Sequence, residues 1–456
     1  MNIKCAVLGA FALAAAVAFA GELDNGFLKG VTDKEKPFYA PGEEMTFTLR
    51  LEGIKAFPPG EWFITWERTG DDGKRDGGKV PASLTEPLVI KTSIDQPGFV
   101  RILAQLVDGK GNVYRKNIPA NALTPDGTRP MNHAEKHDKR IFFDGGAGVQ
   151  PEKLRGEPEP ADFDAFWARQ RAQLAKVPVR VDRKLLTDSK QGYVYAIQID
   201  CAGPRPATGY LTMPKGVDEG KKYPCRLETH GYSYRPPHNP PGWVRSDEIV
   251  LNINAHGMKL PAFGADEKYY KELGEAIKSN GKQYAFNPIQ NSDPEQAYFN
   301  GMVLRVMRGL QYLKTLPEWN GKDLYASGGS QGGLQTIWAA GCGEGVTKAE
   351  SGITWCCDMA HNTMRLERKM GSGGWYIPWV PALGYYDPVN CAKRIPKTCL
   401  TIITRAGLGD YCCPPRGLAI LYNNIPGPKK IWWVQGSTHG YVPPSPNQNF
   451  WIDGTK

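Results

Sequence analysis

Hydrophobic and polar positions recur along this chain with two different periods. In "EEMTFTLRLEG", Met45, Phe47, Leu49 and Leu51 alternate with Thr46, Thr48, Arg50 and Glu52, the two-residue period of a half-buried strand. "WFITW" sets Trp62, Ile64 and Trp66 on one face. "FVRILAQLVDGKGNVY" reads as a strand, a tight Asp-Gly turn and a return strand. Short strands punctuated by Gly and Pro across residues 21–120 predict an immunoglobulin-like β-sandwich, with no catalytic constellation inside it. Residues 121–157 are rich in Pro, Gly and charge, and read as a linker.

From residue 158 the pattern changes. "DFDAFWARQRAQLAK" is an amphipathic helix with Phe163, Phe166, Trp167 and Leu174 inward, and "QAYFNGMVLRVMRGLQYLKTL" is the clearest helix of the chain. Between helical stretches lie the strand candidates "YVYAIQI", "PCRLET", "IVLNINA", "DLYASG", "TCLTIIT" and "KIWWVQG". Strands alternating with helices predict a mainly parallel α/β sheet covered on both faces, occupying residues 158–456. No internal repeat or low-complexity tract occurs.

Length and composition agree with two domains. The chain has 456 residues, 41% apolar and 23% charged, more than one hydrophobic core serves. Its net charge of +9 comes from interspersed charges, 56 basic against 47 acidic. With no basic stripe and no binding motif, nucleic acid is not an expected partner. The 12 tryptophans and 37 prolines suit carbohydrate handling and a loop-rich core equally.

The first residues, "MNIKCAVLGAFALAAAVAFAGELDNG", have the form of a cleavable leader. Lys4 precedes an apolar run ending at Phe19, and Ala18-Phe19-Ala20 fits the small-x-small rule for cleavage before Gly21. The run of roughly 16 residues is shorter than the ~20 a spanning helix needs. Cys5 precedes the apolar run, so it is not placed for lipid attachment. The expectation is a secreted or periplasmic protein with no membrane span and homo-oligomerisation left open. Without Cys5, nine of the ten cysteines remain, an odd number. Cys356-Cys357 and Cys412-Cys413 are adjacent pairs, no C-x-x-C spacing occurs, and the cysteines read mostly as core packing. His133 and His137 stand at helical spacing in "HAEKH", but no third ligand lies nearby. No metal and no cofactor is expected.

The stretch "YASGGSQGGLQ" carries the chemistry. Gly328-Gly329-Ser330-Gln331-Gly332 is G-x-S-x-G between the strand "KDLYASG" and the helix "GLQTIWAAG", the context of a nucleophile elbow. Ser330 must take an unfavourable backbone conformation to lift its hydroxyl clear of the sheet, and side chains at 328 and 332 would strike the neighbouring strand and helix. The amide of Gln331 then faces a developing oxyanion at the helix N-terminus.

In such a hydrolase the serine is followed by an acid and then a histidine. His361 and His439 are the histidines after Ser330. His439 follows the strand "KIWWVQG" in the loop "GSTHGY", where a base belongs; His361, in "CDMAHNTM", reads as structural. Asp410 follows "TCLTIIT" in "RAGLGDYCCPP", whereas Asp387 in "YYDP" precedes that strand. His439 would take the Ser330 proton and Asp410 would fix the imidazole tautomer. The second oxyanion donor is assigned to the Tyr232 amide in "CRLETHGYSY"; His230 precedes the serine.

Residues 158–442 resemble the acetyl xylan esterase and cephalosporin-C deacetylase family of α/β-hydrolases. The resemblance rests on "PADFDAFW", "HGYSYRPP", "DPEQAYFNGMVLRVMRGLQYL", "GGSQGG", "YYDPVNCAKRI", "GLGDYCCPPRGLAILYNNIPGPKKI" and "STHG", in family order. It implies an α/β-hydrolase fold, and a nucleophile, acid and base at Ser330, Asp410 and His439. It puts the oxyanion amides at Tyr232 and Gln331, and implies removal of acetyl groups from small carbohydrates such as acetylated xylo-oligosaccharides. The sequence departs from the family at Ala255-His256-Gly257, in place of Arg-Gly-Gln, and at Gly440, in place of Glu. The competing readings are a serine peptidase of the prolyl-oligopeptidase type and a carbohydrate-binding protein with an inactive hydrolase domain. The first lacks room for a propeller of blade repeats.

Overall fold

In a computed structural model of the chain, residues 23–118, 121, 139–233, 240–361, 377–444 and 447–454 are described. The expected leader at 1–20 and the pair His133 and His137 lie outside the described residues.

The N-terminal region is all-β. Its strands are β1 (Phe27–Thr32), β2 (Phe38–Tyr39), β3 (Met45–Glu52), β4 (Trp62–Gly70), β5 (Asp76–Pro81), β6 (Leu88–Thr92), β7 (Gly98–Asp108) and β8 (Phe142–Val149). They form a three-stranded sheet, β1-β3-β6, and a five-stranded sheet, β2-β8-β7-β4-β5. The alternation read in β3 is realised: Met45, Phe47, Leu49 and Leu51 are all buried. They meet Ile64, Ile102, Leu106 and Phe143 from the other sheet in one core. The return strand expected after Asp108 is reduced to an isolated bridge between Val107 and Val113.

Strand β8 corrects the linker assigned to residues 121–157. "FFDGGAGV" is a fully buried strand between β7 and β2. Its glycines read as loop because they carry no hydrophobic signal. They are required by close approach instead: a Cβ on Gly146 would lie 2.2 Å from the Val100 carbonyl oxygen, and one on Gly145 would lie 2.2 Å from Gln435 Oε1.

The second region is built on one ten-stranded sheet. Its strands are β9 (Val181–Asp188), β10 (Gly192–Ile199), β11 (Ala207–Pro214), β12 (Tyr223–Thr229), β13 (Ile249–Asn254), β14 (Trp319–Gly329), β15 (Lys348–Gly352), β16 (Leu400–Gly407), β17 (Lys429–Val434) and β18 (Asn449–Asp453). The order is β18-β17-β16-β15-β14-β12-β13-β11-β10-β9. Pairing is parallel from β13 through β12, β14, β15 and β16 to β17, and antiparallel at both ends. This is the α/β-hydrolase fold, with the helix Phe163–Ala175 set against the helix Tyr298–Thr315, and the latter, Gln331–Gly341 and Pro415–Asn424 packed on the sheet. The first buries Phe163, Phe166, Trp167 and Leu174, the four positions the pattern marks as inward. Strands β9, β11, β15 and β18 were not in the sequence reading. β15 reads "KAESG" and β9 is almost wholly exposed, so neither shows an apolar run.

The two regions are docked through backbone. Gly146 N–H donates to Gln435 Oε1 at 2.8 Å, and Gln435 Nε2 donates to the Gly146 carbonyl at 2.8 Å. Gln448 Nε2 donates to Thr32 Oγ1, and Phe38 packs edge-on against Trp433 and Phe450. Truncating Gln435 strands both polar groups of Gly146 in a buried seam. Gln435→Ala is therefore expected to cost about 2–4 kcal/mol, since each buried group left unsatisfied costs ~1–3. Urea unfolding checks this; an unchanged midpoint would show that the seam carries no stability.

Candidate active site

Ser330 sits between β14 and the helix Gln331–Gly341, near the middle of the sheet. Its backbone is at φ 58, ψ −120. A non-glycine residue held there is strained by roughly 1–3 kcal/mol and needs support from its surroundings. Ser330 N–H donates to the Gly352 carbonyl at 2.9 Å, and the Ser330 carbonyl accepts from Trp355 and Leu334 N–H. The surrounding space is full. A Cβ on Gly328 would lie 2.2 Å from Thr229 Oγ1, and one on Gly332 would lie 2.7 Å from the Thr229 carbonyl oxygen. These are the clashes that the spacing of the glycines predicts.

The structure brings Ser330, His439 and Asp410 together. His439 Nε2 is 3.0 Å from Ser330 Oγ, and His439 Nδ1 is 3.0 Å from Asp410 Oδ2. Asp410 is fully buried, and its other oxygen accepts from Cys412 and Cys413 N–H at 2.9 Å each. A carboxylate so placed only accepts, so the proton of a neutral ring belongs on Nδ1. That leaves Nε2 free to accept from the serine hydroxyl. Burial opposes a charge on the ring, but the attraction and hydrogen bond of Asp410 outweigh it. With a contribution from the adjacent Cys412, they hold the imidazole above its ordinary value.

The rejected candidates have other duties. Asp387 caps the short helix Pro388–Ala392 by accepting from Val389 N–H, and also accepts from Asp358 and Met359 N–H. Burial, with Asp358 close by, pushes its carboxyl up to about 7 despite those bonds. His361 pairs with Asp358 and Glu157 on the surface. His230 Nε2 accepts from Ala255 N–H while Nδ1 lies 2.9 Å from the Gly231 carbonyl, an arrangement that fixes the ring beneath the loop carrying Tyr232.

The two amides assigned to the oxyanion stand on neighbouring pieces of chain. Gln331 opens its helix, so its N–H is one of the first-turn donors without an intrahelical acceptor. The Tyr232 loop is tied to that helix by Gln335 Nε2, which donates to the His230 carbonyl at 3.2 Å. The Tyr232 ring stacks on Tyr284 at 4.3 Å, and Tyr284 Oη donates to Gln331 Oε1 at 2.7 Å. Tyr284 carries no motif in the sequence and went unnoticed there.

Contacts from the β-sandwich reach the loops of both Asp410 and His439, and the sequence pattern does not show them. Arg101 forms a two-pronged pair with Asp144 at 2.6 Å and lies over the ring of Tyr411, which follows Asp410. Phe142 packs on Tyr441, two residues after His439, at 5.0 Å. A Cβ on Gly409 would lie 1.8 Å from the Asp144 carbonyl oxygen.

Residues 152–369 match the family model described as acetyl xylan esterase (AXE1). The acetyl esterase Axe7A of Xylanibacter ruminicola is 32% identical over 316 residues, covering 64% of this chain and 68% of that protein. The acetyl xylan esterase from Paenibacillus sp. R4 superposes with a TM-score of 0.52 at 24% identity, over 64% of this chain and 94% of the other. Acetyl xylan esterase 1 from Thermoanaerobacterium sp. gives 0.51 at 21% identity, over 65% and 94%; these two likenesses bear on fold. The chain belongs to the acetyl xylan esterase family and is a carboxylic ester hydrolase.

A pH dependence follows from the raised imidazole. With His439 as the base of the reaction proposed below, the ring must be neutral to accept the serine proton, so activity should be lost as pH falls through its pKa. Because that value is raised, the acid limb of kcat/KM is expected above ~6.5, the ordinary histidine value. Cys412→Ala removes a contributor and should move the limb downward. A limb below the ordinary value, unmoved by the substitution, would contradict the electrostatics described.

Proposed function

We propose that this chain is a serine esterase that removes acetyl groups from small carbohydrate esters through Ser330, His439 and Asp410. The observation that carries the reading is the unbroken hydrogen-bonded line from Asp410 through His439 to Ser330, with 3.0 Å at each step. In this mechanism Ser330 Oγ attacks the ester carbonyl carbon as His439 Nε2 takes its proton. The oxygen that becomes negative is received by the Gln331 and Tyr232 amides at the helix N-terminus. Collapse breaks the bond to the sugar oxygen, which leaves with the proton from His439. Water, deprotonated by the same nitrogen, then attacks the acetyl-serine, and acetate departs. Asp410 remains ionised throughout and stabilises the imidazolium.

The choice of an acetylated carbohydrate rests on the family and on the names of the relatives above. The N-terminal region gives the peptidase alternative no support, because it forms two packed sheets rather than propeller blades.

Ser330→Ala should leave the protein folded and lower kcat for 4-nitrophenyl acetate by about 10⁴-fold or more. A folded variant keeping a tenth of the wild-type rate would remove Ser330 from the mechanism. His439→Ala should be nearly as damaging and His361→Ala mild; the reverse order would mean that the base is wrongly assigned. Acetylated xylo-oligosaccharides should be deacetylated, and butyrate esters should be cleaved more slowly than acetate by about tenfold or more, since each misfitting methylene is worth ~1–3 kcal/mol. Octanoate esters cleaved faster than acetate would mean a lipase-like pocket.

A further inference from the structure

The pair Cys412-Cys413 is not used by the mechanism. It follows Asp410 directly, and its two backbone N–H groups hold the Asp410 carboxylate. Its side chains turn toward the base. One sulfur from each cysteine and one ring nitrogen of His439 all lie within 4.8 Å of one another. No disulfide consumes these thiols, because both cysteines are free. Cys413 is buried, Cys412 is half-buried, and about a third of the His439 side chain is exposed.

We propose that Cys412, Cys413 and His439 form an inhibitory site for a thiophilic divalent cation of the zinc class. Two thiolates and an imidazole are the ligand set that such d¹⁰ ions prefer, and the two thiolate charges neutralise the dication in a place where a lone charge could not be buried. Around a tetrahedral zinc with Zn–S near 2.3 Å and Zn–N near 2.0 Å, ligand atoms stand roughly 3.6–3.8 Å apart. The three atoms thus need to close by no more than about an ångström. The partly exposed imidazole gives an approach from solvent, and a water completes the fourth position. Binding releases the two thiol protons to solvent.

The consequence for the enzyme does not depend on which ring nitrogen is taken. Nδ1 is engaged by Asp410 and Nε2 by Ser330. A cation on Nδ1 removes the ring from its acid, and one on Nε2 removes the base from its nucleophile. Either way the cation competes with the catalytic arrangement, so it inhibits rather than assists. The inhibitory consequence rests on the triad reading above; the site itself does not.

Cadmium is the probe, because thiolate-to-Cd²⁺ charge transfer absorbs in the ultraviolet whether or not the enzyme is active. The full-length reduced protein is titrated with Cd²⁺ while absorption and 4-nitrophenyl acetate hydrolysis are followed in parallel. Inhibition should track occupancy of this site, be reversed by EDTA, and be reproduced by Zn²⁺. Cys412→Ser and His439→Asn should each weaken Cd²⁺ binding by about tenfold or more, as loss of one ligand from a three-ligand site requires. Ser330→Ala should bind Cd²⁺ as the wild type does even when it hydrolyses nothing, which separates failure of the site from failure of the triad reading. Cd²⁺ affinity unchanged in both Cys412→Ser and His439→Asn, or occupancy that leaves hydrolysis intact in the wild type, would overturn the proposal.

Discussion

The site is organised by one backbone constraint: the chain must leave β14 and enter a helix within the single residue Ser330, at positive φ. That turn leaves no room for side chains on its neighbours, hence the glycines at 328 and 332 packed against Thr229. It also demands support from both flanking strands. β12 supplies Thr229, whose hydroxyl donates to the Gly332 carbonyl, and β15 supplies the Gly352 carbonyl that receives the Ser330 N–H. The sheet order β12-β14-β15 is therefore what makes the strained serine tenable. The same turn opens the helix at Gln331, so the Ser330 hydroxyl and the first-turn amides of that helix are positioned by one feature.

Asp410 and His439 stand under a different constraint. They lie on the loops after β16 and β17, neighbouring parallel strands whose register shifts between Ile403 and Ala406. Arg405, within that irregularity, is also at positive φ. Loops of this kind are the mobile part of most folds. Here they are closed from outside by β8 and β7 of the sandwich, through Gly146 on Gln435, Arg101 on Tyr411 and Phe142 on Tyr441. The Arg101–Asp144 pair is largely buried, and both its carboxylate oxygens are engaged, so it resists screening better than a surface pair. The sandwich thus contributes by position: it fixes the outer walls of the two loops on which the 3.0 Å contacts of His439 depend.

Much of this was legible in the sequence because periodicity reports burial on one face. β3, β10, β12, β14, β16, β17 and the helix Tyr298–Thr315 all declare themselves. The elbow and its partners were legible for a different reason: strand-then-loop order places Ser330, Asp410 and His439 at the same edge of a parallel sheet. Features defined by what lies opposite them were not legible. β8 looks like a glycine loop until Val100 and Gln435 stand against it, and β15 has no apolar alternation because its neighbours bury it. Tyr284, Tyr411 and Tyr441 are ordinary tyrosines in sequence, and only the fold gives them rings and loops to hold. The adjacent cysteines read as core, which Cys413 is by burial; their proximity to His439 is a property of tertiary structure.

The departure from the family at Ala255-His256-Gly257 shows how a change in sequence is absorbed. Burial pushes the His256 ring down to about 3 and keeps it neutral. It acts as a spacer with two hydrogen bonds, its Nε2 to the Ser233 carbonyl at 2.6 Å and its Nδ1 to Tyr298 Oη at 2.7 Å. Two arginines from outside the turn bind its carbonyls. Arg205 Nε donates to the His256 carbonyl at 2.5 Å and Arg305 Nε to the Ala255 carbonyl at 2.9 Å. Gly257 then turns away at φ +64, where a Cβ would meet the Pro206 carbonyl at 2.2 Å. The result holds Ser233, and with it the Tyr232 loop, against the helix that begins at Gln331.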